Sequence, residues 1–320
     1  MEWGLAIQNL VSPPVLFFAL GLIAALARSD LSVPEAVAKA LSLYLMLAIG
    51  FKGGVAAAGH GFGMDLLLVI GAAAILSFCM PVLAFGLLRA TTRLERVDAA
   101  AIAAHYGSIS IVTFIAATAA LDAAGISYPG IMVAAAAAME VPAIASALIL
   151  AKRGSSDTKG EVPWREVALN GSVVLLIGAF LIGLSTGEGG YVDIAPFISD
   201  PFKGVLCLFL LDMGLVAGRE LRQVRKTLTA PLLVFGLYMP PIGGVIGGLA
   251  GALIGLNPGG IALMSVLTAS ASYIAVPAAM RLALPEAKPS LYLTLSLAIT
   301  FPFNLTIGIP FYITLANWLS

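Results

Sequence analysis

Ten apolar runs, each long enough to cross a bilayer, leave this chain very few folds to choose from. They cover 12–28, 33–53, 64–89, 98–121, 129–152, 167–186, 200–219, 229–255, 259–283 and 288–318. A hydrocarbon core about 30 Å thick and a helical rise of about 1.5 Å per residue make roughly 20 apolar residues one crossing. No water reaches the backbone there, so each run must satisfy its own N–H and C=O groups as a helix. Charge supports this: 11% of the 320 residues are charged, against about 25% in a soluble domain. Too few charges remain to cover a water-facing surface. The expected fold is an all-α polytopic membrane protein of ten transmembrane helices. The second and seventh runs are the least hydrophobic, and they are the ones open to interruption or to an amphipathic face.

Orientation follows from Lys and Arg, which accumulate in cytoplasmic loops. With ten crossings, one side receives fifteen: Arg28, Lys39, Arg89, Arg93, Arg96, Lys152, Arg153, Lys159, Arg165, Arg219, Arg222, Arg225, Lys226, Arg281 and Lys288. The other side receives Lys52 and Lys203. The basic side is expected in the cytoplasm, with both termini outside and the protein in the cell inner membrane. Trp3, Trp164 and Trp318 fall at run ends, where aromatic rings anchor at headgroups. The start, Met1-Glu2-Trp3-Gly4, lacks a basic signal-peptide region, so the first run should stay as a helix. Cys79 and Cys207 lie in apolar runs and read as small core hydrophobes. Seventeen basic and seventeen acidic residues give no net charge, so no nucleic-acid partner is expected.

The longest polar stretch falls at the middle of the chain. It divides residues 1–152, a first five-helix unit, from 167–320, with 153–166 as a cytoplasmic linker. Five helices per unit force the second to enter the membrane upside down, an inverted repeat. Local matches support it: Met80-Pro81 with Met239-Pro240, and Pro142 with Pro302. Gly50-Phe51-Lys52-Gly53-Gly54 also pairs with Met213-Gly214 through Gly218, and Ser108-Ile109-Ser110 with Ser270-Ala271-Ser272.

In such repeats ligands bind near mid-membrane, where paired helices are interrupted and freed backbone groups face a cavity. The fourth and ninth runs carry the best candidates. His105-Tyr106-Gly107-Ser108-Ile109-Ser110 leads to Thr113 in one; Thr268-Ala269-Ser270-Ala271-Ser272-Tyr273 leads to Pro277 in the other. Hydroxyls donate and accept, so they serve an anion or a cation. Small residues also serve tight helix packing, and that reading stays open. Glu140, a lone acid after an alanine run, should face a cavity, hold a cation or stand as a hydrogen-bonded structural acid. Asp212 and His105 are further ionisable candidates, and Thr300, Asn304 and Thr306 are possible oxygen ligands. No phosphate loop, His/Glu zinc pair or nucleophile–base pattern occurs, so no enzyme is expected.

These residues carry a resemblance. Val33-Pro34-Glu35-Ala36 through Gly54, Ile126-Ser127-Tyr128, Met139-Glu140-Val141-Pro142-Ala143, Met213-Gly214, Glu220-Leu221-Arg222 and Ser270 through Phe311 resemble the sodium-dependent bicarbonate transporter family. The resemblance spans nearly the whole chain. It implies a core and a gate domain, crossing discontinuous helices four and nine, a homotrimer, and sodium-driven bicarbonate uptake. By resemblance, Gly107, Ser108, Ser110, Ser270 and Ser272 would bind substrate, and Thr113, Glu140 and Thr268 would bind Na+. The resemblance is that of a divergent member: the family's acid on the ninth run is here Tyr273, and a serine and a glycine are Ala275 and Val276. His105, Asp212 and Tyr273 are therefore candidates for altered coupling. Another small organic anion as cargo, with sodium or protons, or a transport-dead sensor, is the alternative reading. The family's long cytoplasmic insertion is absent, so docking of a PII-like regulator is less expected here.

Overall fold

Thirteen helical elements account for nearly all of the described residues, with no strand among them. The computed structural model describes residues 11–58, 63–152, 171–224, 228–273 and 275–320. The linker 153–166, the start of the sixth run, Trp3, Trp164, Arg153, Lys159, Arg165, Arg225 and Lys226 lie outside them.

The first unit contains α1 (Pro13–Leu26), α2 (Glu35–Ala58), α3 (Met64–Thr91), α4 (Arg96–His105), α5 (Ile111–Ala123), α6 (Met132–Ala138) and α7 (Glu140–Lys152). The second contains α8 (Gly171–Ile198), α9 (Phe202–Val224), α10 (Ala230–Leu253), α11 (Pro258–Ala269), α12 (Ala275–Ala283) and the composite α13 (Pro289–Leu319). Among the described residues six stretches are long and apolar enough to cross a membrane: α2, α3, α6 with α7, α8, α10 and α13; α1, α5 and α11 are shorter apolar helices. The chain is a multi-pass membrane protein.

Local chemistry sets many ends. Prolines at the first turn start α1, α10, α11 and α13, where a missing N–H costs nothing. Asn257 caps α11 by accepting from the Gly260 N–H at 2.8 Å. Gly125, at φ 68°, closes α5, and the Ile126 N–H turns back to the Leu121 carbonyl at 2.9 Å. Gly187, at φ 58° and ψ −150°, bends α8 where the sixth run was expected to end. The second and seventh runs, open to interruption by composition, are the continuous helices α2 and α9. The fifth run breaks at Met139, between α6 and α7. Cys79 is exposed on α3 rather than in the core, and Cys207 is buried.

Two close helix pairs, α2 with α8 and α1 with α9, meet where α2 touches α9. In α2 against α8, Gly50 lies by the Leu176 carbonyl (a Cβ there would come within 2.8 Å), Gly54 by that of Phe180, and Gly183 by that of Phe51. In α1 against α9, Gly21 lies by the Leu211 carbonyl, Gly214 by that of Phe18, and Gly218 beside Ala25. Glycine lets the backbones approach, which is what drives helix association where burial from water offers nothing. The remaining helices pack around α3, α10 and α11. In α13, π-helical turns over Thr294–Thr300 and Asn304–Gly308 flank Pro302, whose absent N–H and ring disturb the ladder.

Candidate functional site

The fourth and ninth runs are both interrupted, and the two interruptions meet. α4 ends at His105 and α5 begins at Ile111; α11 ends at Ala269 and α12 begins at Ala275. The Ser272 N–H donates to the His105 carbonyl at 2.8 Å, and the His105 Nδ1 meets the Ser272 carbonyl. The Ser110 N–H donates to the Ser270 Oγ at 2.9 Å. Four half-helix ends thus converge, with the amino ends of α5 and α12 carrying partial positive charge and the carboxyl ends of α4 and α11 partial negative charge.

The breaks have local causes. Ser110 caps α5, its Oγ accepting from the Thr113 N–H at 3.2 Å. Gly107 lies against Pro81, and any Cβ there would strike the proline ring and come within 2.7 Å of the Ser77 carbonyl. Ser77 in turn donates to the Met139 carbonyl at 2.6 Å and accepts from the Ala143 N–H at 3.1 Å, so it repairs the break between α6 and α7.

Most of the expected residues gather here, with distinct duties. Ser108 donates to the Glu140 Oε2 at 2.9 Å, and both residues are buried. A residue expected on the substrate and one expected on the ion are therefore one pair. Ser270 accepts from Ser110 and donates to the Leu267 carbonyl at 2.9 Å, so its hydroxyl is occupied in holding the crossing. Thr268 directs its proton along its own helix, to the Met264 carbonyl at 2.9 Å or that of Ser265 at 3.1 Å. Tyr273 packs edge-on to Phe301, with 5.5 Å between centroids, and its hydroxyl is buried beside Ser110. His105 stacks on Tyr292 at 4.6 Å. Asp212 is buried on α9 outside the crossing, with Arg219 as a charged neighbour.

Helix α13 supports the site from behind. Asn304 donates to the Ala269 carbonyl at 2.9 Å and accepts from the Tyr312 hydroxyl at 3.0 Å. Thr300 donates to the Gly236 carbonyl at 2.8 Å and shares a 2.7 Å bond with the Tyr106 hydroxyl. Thr306 donates to the Pro302 carbonyl at 2.7 Å within its own helix. Ser77, Tyr106 and Tyr292 were not expected to matter. A signal for Ser77 exists, a lone hydroxyl one turn before Met80-Pro81.

Two buried polar atoms at the crossing find no protein hydrogen bond among the described residues: the Thr113 Oγ1 and the His105 Nε2. Each costs about 1–3 kcal/mol unless something else satisfies it. Oxygen atoms of hydroxyls, carbonyls and one carboxylate suit a hard monovalent cation; no group of three or more His, Cys, Asp or Glu that would hold a transition metal occurs among the described residues.

A multi-pass helical membrane protein with a polar site where two broken helices cross has the anatomy of a transporter. The family model for the Na+-dependent bicarbonate transporter superfamily matches residues 13–317, and the chain belongs to that superfamily. It is accordingly a transport protein and not an enzyme. No curated protein matches the chain.

Proposed function

We propose that the protein carries bicarbonate into the cell with sodium by alternating access. The observation that carries this reading is the crossing itself. It sets the positive ends of α5 and α12, the hydroxyls of Ser110, Thr113 and Ser272, and the Ser108–Glu140 pair in one buried place. The anion would take the hydroxyls and the amino-end N–H groups. Na+ would take carbonyls, hydroxyls and Glu140. Binding both joins charges that would each be costly alone in an apolar protein, which favours crossing when both sites are filled.

The ten-crossing, inverted 5+5 arrangement is part of this proposal. Paired contacts support it, because each joins ends that ten crossings put on one side. Outside, the Asn257 Nδ2 donates to the Ser127 carbonyl at 3.1 Å and Lys52 sits 5.0 Å from the Phe202 ring centre. Inside, Arg222 donates to the Ala25 carbonyl at 3.0 Å, Arg96 to that of Leu150 at 2.9 Å, and Lys288 pairs with Asp98 at 3.2 Å. The pairs α1–α9 and α2–α8 are also equivalent under an exchange of the two halves. In this reading α1, α2, α8 and α9 form the gate, and the other helices form the core that carries the site. The inner membrane, both termini outside, the cytoplasmic linker and a homotrimer complete the proposal.

The test is uptake of labelled bicarbonate into proteoliposomes, with and without an inward sodium gradient at fixed pH. Accumulation that requires sodium is expected; a well-folded protein that accumulates none overturns the reading. Tyr273 favours a second reading, a less polar organic anion carried with sodium or protons, because an aromatic pair with Phe301 stands where the family carries an acid. Monocarboxylates that are themselves accumulated, and that compete with bicarbonate, would establish it.

A further inference from the structure

Away from the crossing, a cavity of about 600 Å³ is lined by α2, α8 and α9 and by α5, α6 and the 124–131 loop, beside the close contact of Gly53 with Gly130 and Val133. Phe114, Thr118 and Asp122 line it from one face of α5, spaced four residues apart, and the same stripe begins at Ser110. The cavity therefore follows α5 from its far end to Phe114, one turn short of Ser110.

The two walls differ in charge and in hydrogen-bonding capacity. On one stands Lys52, half-buried in α2 with its ammonium near the Phe202 ring. No carboxylate lies within 4.0 Å of it among the described residues, where the Lys288–Asp98 pair meets that limit. On the other wall the Tyr128 hydroxyl faces Asp122, with Thr118 as a neighbour, and Asp122 feels the charges of Lys52 and Lys203. Burial first, then the Asp122 charge, holds the Tyr128 phenol well above its ordinary range, so it keeps its proton and donates it. Thr118 donates to the Ile115 carbonyl at 2.8 Å. Tyr128 and Thr118 thus direct their protons to Asp122 and Ile115 and keep acceptor lone pairs, so this part of the wall suits a cation and not the anionic cargo. Glu188, exposed on the lysine's side, adds to this balance. A lysine on a membrane helix is costly unless water or a counter-ion meets it. The cavity leaves room for the first, and Asp122 offers the second.

We propose that Lys52 and Asp122 form an electrostatic latch that shuts this vestibule when the gate wall closes on the core, the ammonium seating against the Asp122 carboxylate. The pair would lock the far end of the path while the site opens to the other side. The proposal rests on the alternating-access reading, and its test needs no transport.

The probe is a Val55→Cys reporter on the vestibule wall, in a Cys79→Ala, Cys207→Ala background, labelled from outside with an impermeant thiol reagent in proteoliposomes. Asp122→Asn and Lys52→Gln should each speed labelling, by about threefold to fivefold if the pair has the strength of a partly exposed ion pair. Asp122→Glu, which keeps the charge, should label as the parent does, and Lys52→Asp with Asp122→Lys should return to the parental rate. Unchanged labelling in Asp122→Asn, or a charge exchange that labels as fast as the single variants, overturns the latch. Asp122 is exposed at a helix end, so its variants should fold even where Lys52→Gln does not. Adding bicarbonate with sodium to the parent tests alternating access separately. A parent that responds to them, beside charge variants that label at the parental rate, would sink the latch alone.

Discussion

Ser108 and Glu140 show how far single side chains were legible. A lone acid in an alanine-rich run and a serine beside a glycine each stand out in sequence, but nothing there places one on the other. In the structure they are bonded at 2.9 Å. Removing the hydroxyl leaves a buried acid without this partner, a loss of about 1–3 kcal/mol, so Ser108→Ala should reduce uptake about tenfold or more. Ser272→Ala should do the same through the facing break. Expression and size-exclusion profiles should stay normal; unchanged uptake in both variants removes the site from the crossing. Glu140→Gln keeps the size of the side chain and takes away its charge. The sodium concentration for half-maximal uptake should rise about tenfold, read from a sodium titration of initial rates; an unaltered value would exclude Glu140 as a cation ligand. Tyr106 was illegible for a physical reason. Its hydroxyl bonds to Thr300, 194 residues away, and a partner that remote leaves no local pattern.

Among helices, the deciding feature is how closely two backbones approach. Gly54 lies against the Phe180 carbonyl, and a Cβ would come within 2.7 Å of the Leu184 N. Backbone cannot step aside as a side chain can, so Gly54→Val should destabilise the α2–α8 pair by about 1–3 kcal/mol. Gly71, on α3, has open space where a Cβ would go. Gly71→Ala should be neutral or stabilising, by up to about 1 kcal/mol. Thermal unfolding in detergent compares the two, and equal midpoints would refute the packing argument. The helix breaks were partly legible: Gly107 and Pro277 marked the two that cross. The break at Met139 was not, because an alanine run before Pro142 reads as unbroken helix. Only the Ser77 hydroxyl, arriving from α3, meets the carbonyl and N–H that this break frees.

At the scale of the whole molecule, topology is the quantity to test. An even number of crossings puts both termini on one side. Alkaline phosphatase fused after Ser320 should be active and, fused within the 153–166 linker, inactive; the opposite pattern would reverse the orientation, and like activity at both sites would break the ten-crossing count. The sequence by itself determined that the chain crosses a membrane many times, since apolar length and scarce charge leave no other solvent for its surface. It also located the two hydroxyl-rich breaks, because composition departs locally from what a lipid-facing helix needs. Only the tertiary structure decided that these breaks meet, that Ser270 is occupied in holding them while Ser108 serves Glu140, and that Lys52 faces Asp122 across a cavity. Those are relations between residues far apart in the chain. Periodicity and composition report which solvent each residue prefers, while close packing alone determines which residues become neighbours.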